Sequence, residues 1–189
     1  MPAPLIVGIG GTTRPGSSGE RAVRAALGRA ERTGARTRMF GGAELAALPH
    51  FAPEDSSRTP AQRALVEAVR ACDGLVIGTP GYHGGVSGLV KNALDLLEDL
   101  RDDSRPYFEG RAVGCIVTAA GWQACGVTLT ALRGIVHAMR GWPTPLGVTL
   151  NTSGGGLFGP DGACTDMAAQ ANLDMLADQV AGFARRQAS

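Results

Sequence analysis

Three short stretches of this sequence concentrate residue types that bind small ligands rather than build a core. The first is Gly10-Gly11-Thr12-Thr13-Arg14-Pro15-Gly16-Ser17-Ser18. Hydroxyls, main-chain N–H groups and one guanidinium converge there, just ahead of an amphipathic helical pattern. That set suits a terminal phosphate monoester, which takes donors from several directions and gains from a helix N-terminus. Gly11-x-x-x-x-Gly16 nearly matches a P-loop, but Ser17 stands in the lysine position, which argues against an ATPase or GTPase. Ser17-x-x-Glu20 is also a capping box, so Ser17 has a purely local reading as well. The second stretch is Thr79-Pro80-Gly81-Tyr82-His83-Gly84-Gly85. Its glycines let the main chain run close to a flat ligand, and Tyr82 and His83 can lie against a ring or hydrogen-bond its edge. The third, Ala119-Ala120-Gly121-Trp122, offers small residues and one aromatic at a helix start.

Residues for acid–base or nucleophilic work are sparse. No G-x-S-x-G elbow occurs, and His50, His83 and His137 accompany no obvious Ser or Cys nucleophile. No pair of carboxylates falls in the three loops. Cys72 and Cys115 sit in apolar runs and read as small core residues, and Cys125 reads as an inert thiol at a helix start. The four cysteines form no C-x-x-C pair, so no metal ligands are assigned. No catalytic residue is assigned either. Phosphate and planar-ring features without an acid–base pair suggest that a bound cofactor carries the chemistry.

The elements that must position these loops alternate. Continuous apolar runs at 5–9, 74–79 and 112–120 suit strands buried on both faces, with a more polar strand at 35–40 and a short one at 146–150. Helical spacing covers 20–33, 60–71, 86–100, 127–140 and 168–186, leaving 41–59 irregular and 101–110 as a charged connector. Five strands alternating with five helices imply a parallel sheet covered on both faces, with right-handed crossovers. The expected fold is therefore an α/β, flavodoxin-like three-layer sandwich with strand order 2-1-3-4-5. The first loop lacks the third glycine of a dinucleotide fingerprint, which weakens a six-stranded alternative. In the 2-1-3-4-5 order the three loops lie together at the carboxyl ends of adjacent strands, where such sheets bind ligands.

Composition narrows the classes further. Residues 1–189 are expected to form one domain. Of these, 28 are glycine, about twice the usual share of ~7%. With 44% hydrophobic residues and a net charge of +1, the chain is nonetheless not a disordered one. The same near-neutral balance offers nucleic acid no general attraction. No apolar run is long enough to span a membrane, and a cytoplasmic location is expected. A third glycine cluster at 154–162 either borders the same mouth as the first two loops or forms a turn.

Taken together, these motifs resemble the NADPH-dependent FMN reductase family of flavin, quinone, azo-dye and chromate reductases. The resemblance runs from about residue 5 to 176. It rests on the first loop, on Thr79-Pro80-Gly81-Tyr82-His83, on Gly88-Leu89-Val90-Lys91-Asn92-Ala93-Leu94-Asp95, and on Phe108-Glu109-Gly110-Arg111-Ala112-Val113. It implies that Thr12, Arg14, Ser17 and Ser18 hold an FMN phosphate. It further implies that Pro80, Gly81, Tyr82 and His83 contact the flavin ring, with Gly121 near its edge. Glycine at 81 and histidine at 83 depart from the family's usual Glu and Asn. The implied activity is hydride transfer from NADPH or NADH to FMN. Reduced flavin would then serve a partner monooxygenase or reduce a quinone-like small-molecule acceptor. The alternative is a flavin-binding redox sensor or electron carrier without turnover. A homodimer or homotetramer is implied, with the apolar face of 86–100 as the candidate contact.

Overall fold

The computed structural model describes residues 3–187. Strand β1 (Leu5–Gly10) is buried from Ile6 onward, as its unbroken apolar run requires. Helix α1 (Ser18–Arg32) follows the first loop and buries Ala22, Val23, Ala26, Leu27 and Ala30 along one stripe. Then come β2 (Arg36–Phe40), a short α2 (Gly42–Ala46) and α3 (Pro60–Ala71), which starts at a proline behind a Thr59/Gln62 capping box. Strand β3 (Gly74–Tyr82), the two-residue β4 (Gly85–Val86) and α4 (Gly88–Asp95) lead through a 3₁₀ turn at Leu96–Leu100 to β5 (Ala112–Ala119). Helix α5 (Trp122–Ala138), β6 (Trp142–Pro143), β7 (Val148–Asn151) and α6 (Met167–Gln187) complete the order.

The strands pair in the order β2-β1-β3-β5, and β5 carries both β6 and β7 on its far edge, all in parallel. β6 and β7 are two pieces of one edge strand interrupted at 144–147, so the sheet has five parallel positions in the 2-1-3-4-5 arrangement. β4 is an addition, pairing antiparallel with the end of β3. One apolar layer lies between the sheet and α1 with α6, and the other between the sheet and α3, α4 and α5. No helix among the described residues is long and apolar enough to cross a membrane.

Where the observed elements depart from the expected ones, local chemistry accounts for it. β3 continues through Tyr82 because His83 and Gly84, both at positive φ, turn the chain back into β4 as a tight hairpin. Val86 is thereby used in a strand, and α4 begins only at Gly88, capped by Ser87 Oγ accepting from Val90 N. α5 begins five residues before position 127, directly after Gly121. α2 lies inside the stretch expected to be irregular. The apolar face of 86–100 is not an outer surface: Val90, Ala93, Leu94, Leu96, Leu97 and Leu100 are all fully buried in the chain's own core.

Two features hold the sheet ends in place. Arg111 is buried, and its guanidinium donates to the carbonyls of Cys72 at 2.9 Å, Arg70 at 2.8 Å and Tyr107 at 2.8 Å. That closes the end of α3 where the chain enters β3. At the other end, α1 is seated on bare main chain. A Cβ on Gly78 of β3 would come 2.4 Å from Val23 Cγ2. Gly78→Ala should therefore overpack this contact and lower stability by about 1–3 kcal/mol. Urea unfolding of the variant checks it, and Val23→Ala in the same chain should recover part of the loss.

Candidate functional site

The first loop leaves the carboxyl end of β1 and meets the N-terminus of α1, where main-chain N–H groups have no helical partner. Its shape is fixed from three sides. Thr12 Oγ1 accepts from Arg14 N at 3.1 Å, folding the loop on itself. Ser17 is buried and caps α1, its Oγ accepting from Glu20 N at 3.4 Å. From behind, α2 presses so close that a Cβ on Gly42 would come 1.9 Å from Thr12 O. Glu20 secures this contact: its Oε2 accepts from Gly42 N at 3.2 Å, while Oε1 is held by Arg24 at 2.7 Å. The Glu20 carboxylate at the loop's base is thus already engaged.

The second and third loops approach from the neighbouring strands. Pro80 of β3 is in register with Thr118 of β5, so the two strand ends emerge side by side. Thr79 Oγ1 accepts from Ser87 N and donates to Pro80 O, both at 3.0 Å, which pins the hairpin to the start of α4. Together the loops enclose a cavity of about 510 Å³. Thr12, Thr13, Arg14, Ser17, Ser18 and Gly19 form one wall, Pro80, Gly81 and Tyr82 a second, and Thr118, Ala119, Ala120 and Thr152 a third.

Seven of the nine residues singled out in the sequence therefore line one cavity. His83 does not: it is exposed at the hairpin tip with φ 52°. Gly121 stands just outside, at the N-terminus of α5 with φ 151°, next to the lining residue Ala120. Ser17 serves both readings, as helix cap and as cavity wall. Sequence reasoning missed Thr118 and Thr152, which are ordinary strand-end residues without a local signal. It also missed α2, and the role of Asn92, whose side chain holds the segment after α2 by accepting from Phe51 N at 2.8 Å and donating to Pro49 O at 3.1 Å. Of the two readings considered for the third glycine cluster, the turn is the one observed: its Gly159 carbonyl accepts from Arg21 of α1 at 3.0 Å, and no residue of 154–162 lines the cavity, although Thr152 just ahead of the cluster does.

The donor set fits a phosphorylated, flat ligand. Arg14 is exposed, and among the described residues its guanidinium has no carboxylate within ion-pair distance. Hydroxyls of Thr12 and Ser18, the helix N-terminus and this cation face the same space. The opposite walls carry no charged side chain, being built of Pro80, Gly81, Tyr82, Thr118, Ala119, Ala120 and Thr152. A larger groove of about 760 Å³ lies between the 51–58 segment, α4 and the C-terminal end of α5. Its charged groups are paired among themselves, Arg58 with Asp99 at 2.9 Å, Lys91 with Asp95 at 2.7 Å and Arg101 with Glu98 at 2.6 Å. It also lies away from the three loops. No group of three or more metal-ligating side chains occurs among the described residues.

The thiols play no visible part in the site. Cys125 is fully buried, its Sγ 3.6 Å from Leu150 O, and burial raises its pKa. Burial likewise pushes Cys72 up to about 11 and Cys115 up to about 12.

Known proteins resemble this chain in sequence and in fold. A family model described as NADPH-dependent FMN reductase matches residues 4–154. An FMN-dependent NADPH-azoreductase of Staphylococcus aureus is 37% identical over 89 residues, which is 47% of this chain and 44% of that protein. The match thus spans less than half of the relative's length. Among solved structures, the flavoenzyme NAD(P)H:(acceptor) oxidoreductase from Paracoccus denitrificans superposes with a TM-score of 0.74 at 17% identity, covering 98% of this chain and 99% of that one. An oxidoreductase from Corynebacterium diphtheriae gives 0.72 at 21% identity, covering 97% and 98%. At these identities the two structures speak to the fold.

The cavity's dependence on α2 is open to experiment. Gly42→Ala should push the Thr12 main chain out of position, lowering stability by about 1–3 kcal/mol. It should also weaken any anion bound at the first loop, as read by thermal-shift titration with inorganic phosphate.

Proposed function

The chain belongs to the NADPH-dependent FMN reductase family, and we propose that it binds FMN in the 510 Å³ cavity and oxidises NADPH or NADH there, passing the electrons to a small-molecule acceptor. The observation that carries this reading is the unpaired Arg14 guanidinium beside the α1 N-terminus, in a cavity whose other walls carry no charged side chain. FMN, when bound, would supply the ability to accept hydride and release electrons. The protein's residues would supply everything else.

In this reading Arg14, Thr12, Ser18 and the first N–H groups of α1 hold the phosphate. The guanidinium offsets its charge, and the helix end adds oriented donors that need not reorganise. Ser17 acts mainly by keeping α1 capped, so that those donors stay aimed at the loop. Pro80, Gly81 and Tyr82 form a wall along the ring, and Thr118, Ala119 and Ala120 bound it from the β5 side. Main-chain N–H groups along these walls would favour negative charge on a bound ring. Tyr82 and Trp122 are 56% and 66% exposed at the mouth, leaving apolar surface where a nicotinamide or a planar acceptor can approach. His83 at the hairpin tip would contact a ligand only at that outer rim. Delivery of reduced flavin to a monooxygenase and direct reduction of a quinone-like acceptor both fit this open mouth.

Two measurements test the reading. Purified protein mixed with FMN should quench flavin fluorescence, and it should oxidise NADPH when a quinone or excess FMN is present. Protein that neither binds flavin nor consumes NADPH would refute it. Arg14→Ala should weaken FMN binding about 10–100-fold, the loss expected for a charged hydrogen bond. Riboflavin, which lacks the phosphate, should change by less than about threefold on the same scale. Equal losses for the two flavins would show that Arg14 shapes the loop rather than holding a phosphate.

A further inference from the structure

Thr128 of α5 differs from the other buried polar side chains. It is fully buried, and its Oγ1 is the one buried side-chain polar atom among the described residues without a hydrogen-bond partner. Other buried hydroxyls are satisfied: Thr79 Oγ1 bridges Ser87 N and Pro80 O, and Ser87 Oγ accepts from Val90 N at 3.3 Å. An orphaned buried hydroxyl bears its full desolvation cost, and folded proteins keep few of them. The location explains the exception. A Cβ on Gly81 would come 2.8 Å from Thr128 Oγ1, 3.3 Å from Ala119 Cβ and 3.3 Å from Ala124 O. The hydroxyl therefore faces the bare main chain of Gly81 from behind, while Gly81 itself forms part of the cavity wall.

We propose that Thr128 is a positioning residue for a flat ring in the cavity, its hydroxyl taking the Gly81 main chain as partner when a bound ring presses the Pro80–Tyr82 wall back against α5. This rests on the reading of the cavity as a flavin site. In the free chain the hydroxyl is desolvated and unpaired. Ring binding brings the Gly81 peptide within hydrogen-bond reach, so the recovered bond adds to the affinity. Glycine at 81 and a hydroxyl at 128 form a matched pair, because any side chain at 81 would occupy the space the bond must cross. The effect acts on the ring wall and is independent of the phosphate loop. That separates it from the role of Arg14.

The test compares Thr128→Val and Thr128→Ser with the parent chain. Each is titrated with FMN and with riboflavin by fluorescence quenching, and each ligand-free protein is melted. Valine is isosteric and removes the orphaned hydroxyl, so the ligand-free protein should melt at the same temperature or higher. Its affinity for both flavins should fall about fivefold, the worth of one net hydrogen bond. Thr128→Ser should keep the parent affinity within about twofold on that scale. Unchanged flavin affinity in Thr128→Val overturns the proposal. So does an equal loss in Thr128→Ser, which would assign the effect to the methyl group, or a loss accompanied by a lower melting temperature. A parent chain that binds neither flavin removes the flavin reading itself, and that result is visible before any variant is made.

Discussion

The contact of α1 with uncovered strand backbone sets the remaining distances. Val23 sits where a side chain on Gly78 would begin, and a Cβ on Gly10 would come 2.7 Å from Gly78 O and 3.0 Å from Val23 Cγ2. A helix can approach a sheet this closely only where the strands offer hydrogen in place of carbon. The consequence is positional. The first turn of α1 is brought down between the carboxyl ends of β1 and β3, so its unpaired N–H groups open onto the space that the β3 and β5 loops enclose. Wider seating would move the helix end away from that space, and no substitution in the loop could return it.

Around that fixed point the cavity lining, among the described residues, offers oriented neutral donors and one cation, Arg14. Glu20 lies at the base of the loop, yet its two oxygens are taken by Arg24 and by the start of α2. One carboxylate thus fastens α2 behind the loop while its charge is balanced by a neighbour. Arg111 likewise does several things at once, its one guanidinium donating to the carbonyls of Cys72, Arg70 and Tyr107. On the ring side the walls carry almost no charge, and selectivity there comes from shape and from main-chain groups.

Much of the arrangement was legible in the sequence because it depends on local chemistry. The buried parallel strands β1, β3 and β5 show as the apolar runs at 5–9, 74–79 and 112–120. The first loop shows as hydroxyls, glycines and an arginine ahead of a helical stripe. From these the sheet order and seven of the cavity's lining residues follow. What was hidden depends on contacts distant in sequence. Val86 reads as the start of a helical stripe, but a hairpin turn at His83 and Gly84 claims it for a strand. The stripe at 86–100 reads equally as core or as an outer contact, since periodicity reports a face without its partner. Thr118, Thr152 and Thr128 look like any strand or helix threonine. α2 spans only Gly42–Ala46 and is held by a carboxylate more than twenty residues away, too little for any periodic signal.

The state of the four thiols carries a consequence of its own. Burial raises Cys72, Cys115 and Cys125, and burial together with nearby Asp166 and Asp174 raises Cys164. At neutral pH all four are therefore held protonated, and all four are free rather than bridged. None of the four lines the cavity, so a ligand held there would meet carbon, hydroxyl and main-chain groups and no sulfur of the chain.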